Sequence, residues 1–296
     1  MASPLLIHHA ANREHLHPAG SLAALEACLA AGALVVELDI LPLADGGWAL
    51  LHDDDLAKGT DGQGLATELT GAQVRRLHYR QRGRRQGEPV GLLEEAIARA
   101  AASPTLQELQ LDLKPFGRPA VETLRSLTEI VQPLGERVRI TSGADWSLRL
   151  LQRLDAGLAL GFDPLLYLDL PRNSAEDEEP PFRLGAYGLR DDHPLAMQRW
   201  GNVAEYLALR LEALMRQAPP RAVWYVDAEL LAWCLDRGCD WIAALHAEGC
   251  EVDAWTLDPD RAECLALTRR LLACGVDRIT TNQAPRLATL LGSVRY

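Results

Sequence analysis

A (β/α)8 barrel, an α/β fold, is what this sequence predicts, on three observations. Eight short apolar runs read as strands, amphipathic helical patterns separate them, and polar or ionisable residues gather where those runs end. At 296 residues the chain is long enough for one such barrel. A doubly wound open sheet is the alternative architecture.

The elements follow in order. Pro4 to His9 is an apolar run ending in two histidines, the first strand. After the polar loop Asn12 to Gly20, Ser21 caps a helix that runs to about Ala31 and is closed by Gly32. Ala33 to Ile40 is the second strand, and strand–helix–strand with a tight Gly turn is the mark of a parallel sheet. After His52 the rhythm breaks. Residues 53 to about 90 are polar, Gly-rich and finally basic (Arg75, Arg76, Arg80, Arg82, Arg84, Arg85), too long for a βα loop. They predict a small inserted cap subdomain after the second strand, whose arginines either hold an anionic or lipid surface or are simply solvated.

Helix and strand then alternate again: a helix from Leu92 to Ala101, a strand to Leu113, a helix near 118–132, a strand Val138–Ser142, a helix near 145–155 and a strand Leu158–Asp163. Residues 164–194, with Pro, Gly and the acidic run Glu176 to Glu179, predict a lid-like loop. A helix from about 195 to 216 follows, then strands Ala222–Val226, Glu251–Leu257 and Val276–Thr280 with helices between. The whole of 1–296 is expected to be one barrel domain.

Composition narrows the partners. With 30 Lys+Arg against 41 Asp+Glu the formal charge is −11, which gives a nucleic-acid partner no electrostatic support and obliges an anionic substrate to find a local cation. Residues 1–7 lack the basic start of a signal peptide, and no apolar run approaches the roughly 18 residues of a membrane span, so no stable membrane insertion is expected. The six cysteines form no C-x-x-C pair and read as free thiols of a cytoplasmic protein.

The chemistry centres on Val35–Ile40. Residues two apart in a strand share a face, so Glu37 and Asp39 converge while Val36, Leu38 and Ile40 point the other way. Burying two adjacent carboxylates is costly unless a cation compensates. The bland alternative is an edge strand with its acids in water. Strand ends elsewhere supply His9, His52, Asp112, Lys114, Asp163, Trp255 and Asn282. Glu37, Asp39 and Asp112 together offer oxygen ligands to one hard divalent cation, Mg²⁺ or Ca²⁺. His9 and His52 are suited to giving and taking protons at neutral pH, and Lys114 to neutralising phosphate oxygens. Three alternatives stay open: Lys114 pairs only with Asp112, Trp255 is ordinary core, and His8 takes the role of its neighbour His9. The histidines at 15, 17, 78 and 193 read as surface residues.

Taken together these residues resemble the glycerophosphodiester phosphodiesterase family. Gly32 to Asp39 is similar to its Gly-Ala-x-x-x-Glu-x-Asp, Asp45-Gly46 to its Asp-Gly, and His52-Asp53-Asp54-Asp55-Leu56 to its His-Asp-x-x-Leu. Pro18 to Ser21 looks like a degraded helix start, and Thr60-Asp61-Gly62 with Leu69-Thr70 is similar to the family's insertion. Leu111 to Lys114, Trp255-Thr256 and Gly275 to Asn282 resemble its later strands. The resemblance implies Glu37, Asp39 and Asp112 as metal ligands, His9 and His52 as the acid–base pair, Lys114 at the phosphate and Trp255 in the substrate pocket. One motif departs: the Arg of His-Arg-Gly is replaced by Ala10. The stretch His9-Ala10-Ala11-Asn12 instead looks like the His-x-x-Asn of sphingomyelinase D type phospholipases, which implies that Asn12 supports the phosphate or the His. The implied activity is metal-dependent hydrolysis of a small-molecule glycerophosphodiester to glycerol phosphate and an alcohol. The alternatives are phospholipase D-like cleavage of lysophospholipids or sphingolipids, and a catalytically weak barrel that binds phosphodiesters.

Overall fold

The structure, a computed structural model, describes residues 3–81, 83–114, 117, 119–167, 203–292 and 294–296. Its strands are β1 (Leu5–His8), β2 (Val35–Pro42), β3 (Trp48–Ala49), β4 (His78–Gln81), β5 (Arg84–Pro89), β6 (Glu108–Leu113), β7 (Val138–Ser142), β8 (Ala159–Phe162), β9 (Val223–Asp227), β10 (Val252–Trp255) and β11 (Arg278–Thr281). Eight of them, β1, β2 and β6 to β11, are parallel neighbours in that order, and β1 pairs with both β2 and β11, so the sheet closes on itself. Closure excludes the open sheet. It also removes any edge at β2, and Glu37 and Asp39 are only 3% and 6% exposed, so the reading of that strand as an edge with solvated acids is overturned.

Strand periodicity divides the side chains between two cores. Leu6, Val36, Leu38 and Ile40 pack outward under the helices, whereas Ile7, Val35, Val223 and Tyr225 meet across the barrel interior. Counting by twos from the interior set leads along β1 to His9, along β2 to Glu37 and Asp39, along β6 to Asp112, and along β11 to Asn282. His8 has the opposite parity. It is fully buried, its ring lies 6.4 Å from that of Tyr296, and neither ring nitrogen has a well-directed hydrogen bond. Burial, against a smaller opposing effect of the Asn12 backbone, lowers its pKa to about 4. The unfolded chain takes up a proton at His8 below about pH 6.5 and the native state refuses it, so stability falls as pH drops from 6.5 toward 4. We expect His8→Gln to flatten that part of the stability–pH curve by up to about 3 kcal/mol, read from urea unfolding at each pH.

The first strand stops one residue earlier than the sequence suggests. Ala10 and Ala11 adopt φ of 47° and 50°, which turns the chain into a 3-10 turn, His9–Ala11, and lifts His9 off the sheet. At the opposite end of the barrel an ionic layer fills the interior. Glu108 on β6 bonds Arg139 of β7 (Nη2–Oε2 2.8 Å) and Arg278 of β11 (Nη1–Oε1 2.8 Å), and Arg278 Nε also reaches Glu251 at 2.7 Å. Burial opposes the charge on Glu108, but Arg278 and then Arg139 outweigh it and hold the carboxyl below its usual range.

The helices are α1 (Leu22–Ala30), α2 (Leu56–Gly59), α3 (Gly71–Val74), α4 (Leu93–Ala102), α5 (Val121–Val131), α6 (Asp145–Leu154), α7 (Val203–Met215), α8 (Ala228–Asp236), α9 (Trp241–Ala247), α10 (Ala262–Ala273) and α11 (Ala284–Leu291). Side-chain caps start several of them: Ser21 Oγ accepts from Ala24 N, and Asp227 and Asp240 do the same for α8 and α9. Between β3 and α4 the chain folds into α2, α3 and the β4–β5 hairpin. These enclose a small core of Leu56, Ala66, Val74, Tyr79 and Val90 that continues into Leu41, Leu43 and Leu51. Tyr79 ties this insert to the barrel, donating its hydroxyl to Leu50 O (2.8 Å) and accepting from Gly91 N. The lid-like loop expected at 164–194 lies, beyond the 3-10 turn Pro164–Tyr167, outside the described residues. All six thiols are free, and Cys274 is exposed. No helix among the described residues is long and apolar enough to cross a membrane.

Candidate active site

Parallel register makes Asp39 and Asp112 direct neighbours on β2 and β6. With Glu37 one turn of the pleat below, they bring carboxylate oxygens within 4.8 Å of one another. Surrounding groups aim them: Ala10 N donates to Glu37 Oε2 (2.6 Å), and Thr141 Oγ1 donates to Asp112 Oδ1 (3.1 Å). Lys114 enters the cluster with Nζ 2.8 Å from Asp112 Oδ2 and 3.0 Å from Asp39 Oδ1. It therefore pairs with both acids rather than with Asp112 alone. Among the described residues the Lys114 ammonium is the one partner of that buried Asp39 oxygen.

Electrostatics mark this cluster as short of positive charge. Burial first, then the neighbouring Asp39 and Asp112, push the Glu37 pKa well above the carboxylate range despite Lys114. Burial also opposes ionisation of Asp39, but Lys114, His52 and His9 prevail and keep it below its usual value. Lys114 itself stays charged because Asp112, Asp39 and Glu37 outweigh its burial. Three converging carboxylates, two of them buried, with only the Lys114 ammonium beside them make an all-oxygen donor set that a hard divalent cation would suit. The residues fit such an ion.

The two histidines are held alike. His9 Nδ1 lies 2.9 Å from Asn282 Oδ1, and Asn282 is itself fixed by Asp258, which accepts from its backbone N and its Nδ2, each at 2.8 Å. With the amide oriented that way, Nδ1 carries the proton and donates, leaving Nε2 as the free nitrogen, 4.0 Å from Glu37 Oε2. His52 Nδ1 sits 3.1 Å from Asp53 Oδ2, again leaving Nε2 free. Its position departs from the sequence reading in one respect: His52 follows β3, the short antiparallel extension of β2, and not the end of a barrel strand.

His9, Asn12, Asp39, His52, Arg80 and Asn282 share the wall of one cavity of about 460 Å³. Asn12 braces the turn, accepting from His15 N (2.9 Å) and donating to Asn282 Oδ1 (3.3 Å). His15, read from the sequence as a surface residue, also lines this cavity. Glu37, Asp112 and Lys114 adjoin it through Asp39. Trp255 does not line it; the side chain is partly buried against the interior cluster of Ile7, Val35, Val223 and Tyr225, with Nε1 unbonded. Asp163 lies near Asp112 and Lys114, its pKa raised to about 8 by burial.

The pattern of the Glycerophosphoryl diester phosphodiesterase family matches residues 8–285, nearly the whole chain. The chain belongs to this family. Within it, glycerophosphodiester phosphodiesterase 1 of Bos taurus is 38% identical over 88 residues, 28% of this chain and 27% of that protein, and the Homo sapiens form is 32% identical over 117 residues, 38% and 35% of the two chains. This chain thus spans about a third or less of the curated relatives it matches. Solved structures share the fold over the full length. A glycerophosphoryl diester phosphodiesterase of Silicibacter pomeroyi, itself described as putative, has a TM-score of 0.67 at 19% identity, covering 100% of this chain and 96% of its own. A phosphodiesterase of Oleispira antarctica, solved with the product sn-glycerol-3-phosphate, also has a TM-score of 0.67, at 18% identity and 98% coverage of each chain.

In this glycerophosphoryl diester phosphodiesterase family member the sequence assigns no role to Asp258 or Asp53, and it offers Arg80 only as one of a basic cluster that either holds an anionic or lipid surface or is solvated. Asp258 carries no local signal, since its partner Asn282 is 24 residues away on another strand end. Asp53 was visible as the residue after His52. Arg80 was lost among the basic residues of the insert.

Proposed function

We propose that the protein hydrolyses small-molecule glycerophosphodiesters to glycerol phosphate and an alcohol. The observation that carries this reading is the pair of histidines, each with Nδ1 engaged and Nε2 free, on one cavity beside the Glu37–Asp39–Asp112 cluster. Those three carboxylates would hold Mg²⁺ or Ca²⁺, which when bound neutralises phosphate oxygens and lowers the barrier to displacement at phosphorus. One histidine enters neutral and its Nε2 accepts the proton of the attacking hydroxyl; the other enters as an imidazolium, protonated on both nitrogens, and its Nε2–H gives the proton that the departing alkoxide takes up. Asn282 and Asp53 keep each ring in the tautomer this exchange needs. Lys114 balances the acids and faces the phosphate. Asn12 stabilises the turn that presents His9. The product seen in the Oleispira antarctica structure supports this substrate class. Six free thiols fit a reducing, cytoplasmic setting.

A phospholipase D-like action on lysophospholipids or sphingolipids is the second reading. It is favoured by Ala10 in place of an Arg and by Leu16, 70% exposed next to the cavity-lining His15. Glycerophosphocholine and lysophosphatidylcholine, assayed side by side with Mg²⁺, Ca²⁺ or chelator, separate the readings. The expected result is metal-dependent release of glycerol phosphate from glycerophosphocholine, abolished by chelator. Cleavage of the acylated substrate alone would transfer the assignment to the second reading, and turnover of neither would leave a phosphodiester-binding barrel.

A further inference from the structure

We propose that Arg80, carried on strand β4 of the insert, binds the phosphodiester anion in the cavity and supplies the permanent positive charge that residue 10 lacks. The proposal rests on the phosphodiesterase reading of the same site. Arg80 is the only Lys or Arg among the described residues that line the cavity, whose wall also presents Asp39, Asp53 and Asp55. An anion entering there meets three carboxylates, in a protein already of formal charge −11. The two lysines that touch acids of this wall are committed to them, Lys114 to Asp39 and to the adjoining Asp112, and Lys58 to Asp53. Position 10 offers no substitute: Ala10 is 7% exposed, has φ of 47°, and its backbone N is bonded to Glu37.

The residues on either side of Arg80 are tied to the barrel by their side chains, which holds Arg80 at the cavity wall. Tyr79 is buried and bonded to Leu50 O, two residues before His52. Gln81 donates its amide to His15 O (3.2 Å) and His17 O (3.3 Å), on the loop that follows Asn12. The strand thus bridges the segments bearing His52 and His9, and Arg80 lies between the two anchors. No carboxylate among the described residues pairs with it, so its forked donors are available for the paired oxygens of a phosphate.

Arg80→Ala, Arg80→Lys and, as a control on the same insert but off the cavity wall, Arg76→Ala test this. For each variant, KM and kcat on glycerophosphocholine are measured together with calorimetric binding of sn-glycerol 3-phosphate and inorganic phosphate. Arg80 is solvent-exposed, so folding is expected to survive, and equal thermal midpoints check it. Arg80→Ala should raise KM and weaken sn-glycerol 3-phosphate binding by roughly 10- to 100-fold, Arg80→Lys should recover part of the loss, and Arg76→Ala should change neither. Unchanged KM and binding in Arg80→Ala overturn the proposal. Should the wild type turn over no phosphodiester, the proposed reaction fails, and calorimetry still decides the site: phosphate binding lost on Arg80→Ala upholds it, while equal or absent binding in both proteins refutes it.

Discussion

His9→Ala is expected to lower kcat on glycerophosphocholine by about 10²- to 10⁴-fold, the range over which a positioned general acid or base contributes. Its KM should change little, because the anion is held by other groups. The His9 ring is half-buried and makes its one good bond to Asn282, so its removal leaves the barrel core intact and the thermal midpoint close to that of the wild type. His52→Ala should show a loss of the same order. Rapid-quench turnover with saturating metal measures both. If either variant, correctly folded, kept wild-type kcat, the acid–base pair assigned here would be wrong. Asn282→Ala should fall between, since it frees the His9 ring to adopt the other tautomer without deleting it.

Glu108→Ala is expected to cost about 3–5 kcal/mol of stability and to lower Tm by roughly 10 °C. The carboxylate is 12% exposed and bonds two largely buried guanidiniums; without it Arg139 keeps only the Leu160 carbonyl and Arg278 only the half-exposed Glu251. Glu251→Ala supplies the contrast. It touches the same Arg278, but at 53% exposure its charge is screened by water, and its loss should cost no more than about 1 kcal/mol. Urea unfolding of both variants separates a structural ion layer from a surface pair; a Glu108→Ala midpoint within a degree or two of the wild type would mean the layer contributes nothing.

The elements of this barrel were legible because each is declared locally. The strand Val138–Ser142 stands where the apolar pattern puts it, and Ser21 caps the helix that it precedes in the sequence. Period-two alternation alone placed Glu37 and Asp39 on one face. It did not decide which face was the barrel interior, nor whether His8 or His9 shared it with them. That required Ile7 and Val35 to be seen packing with Val223 and Tyr225 across the barrel.

What the sequence by itself determined was therefore the inventory: eight strands, an insert after the second, and a set of acids and histidines close to strand ends. Only the tertiary structure decided how they act together. His9 and Asn282 are 273 residues apart and meet because β1 and β11 are adjacent when the barrel closes. Arg80 reaches the same cavity because Tyr79 and Gln81 fasten the insert to the barrel. Closure also set Trp255 against the interior core of Ile7, Val35, Val223 and Tyr225. Local periodicity is written into neighbouring residues, whereas the contacts that orient a proton or offer a charge to a substrate arise from a long-range closure that no single stretch encodes.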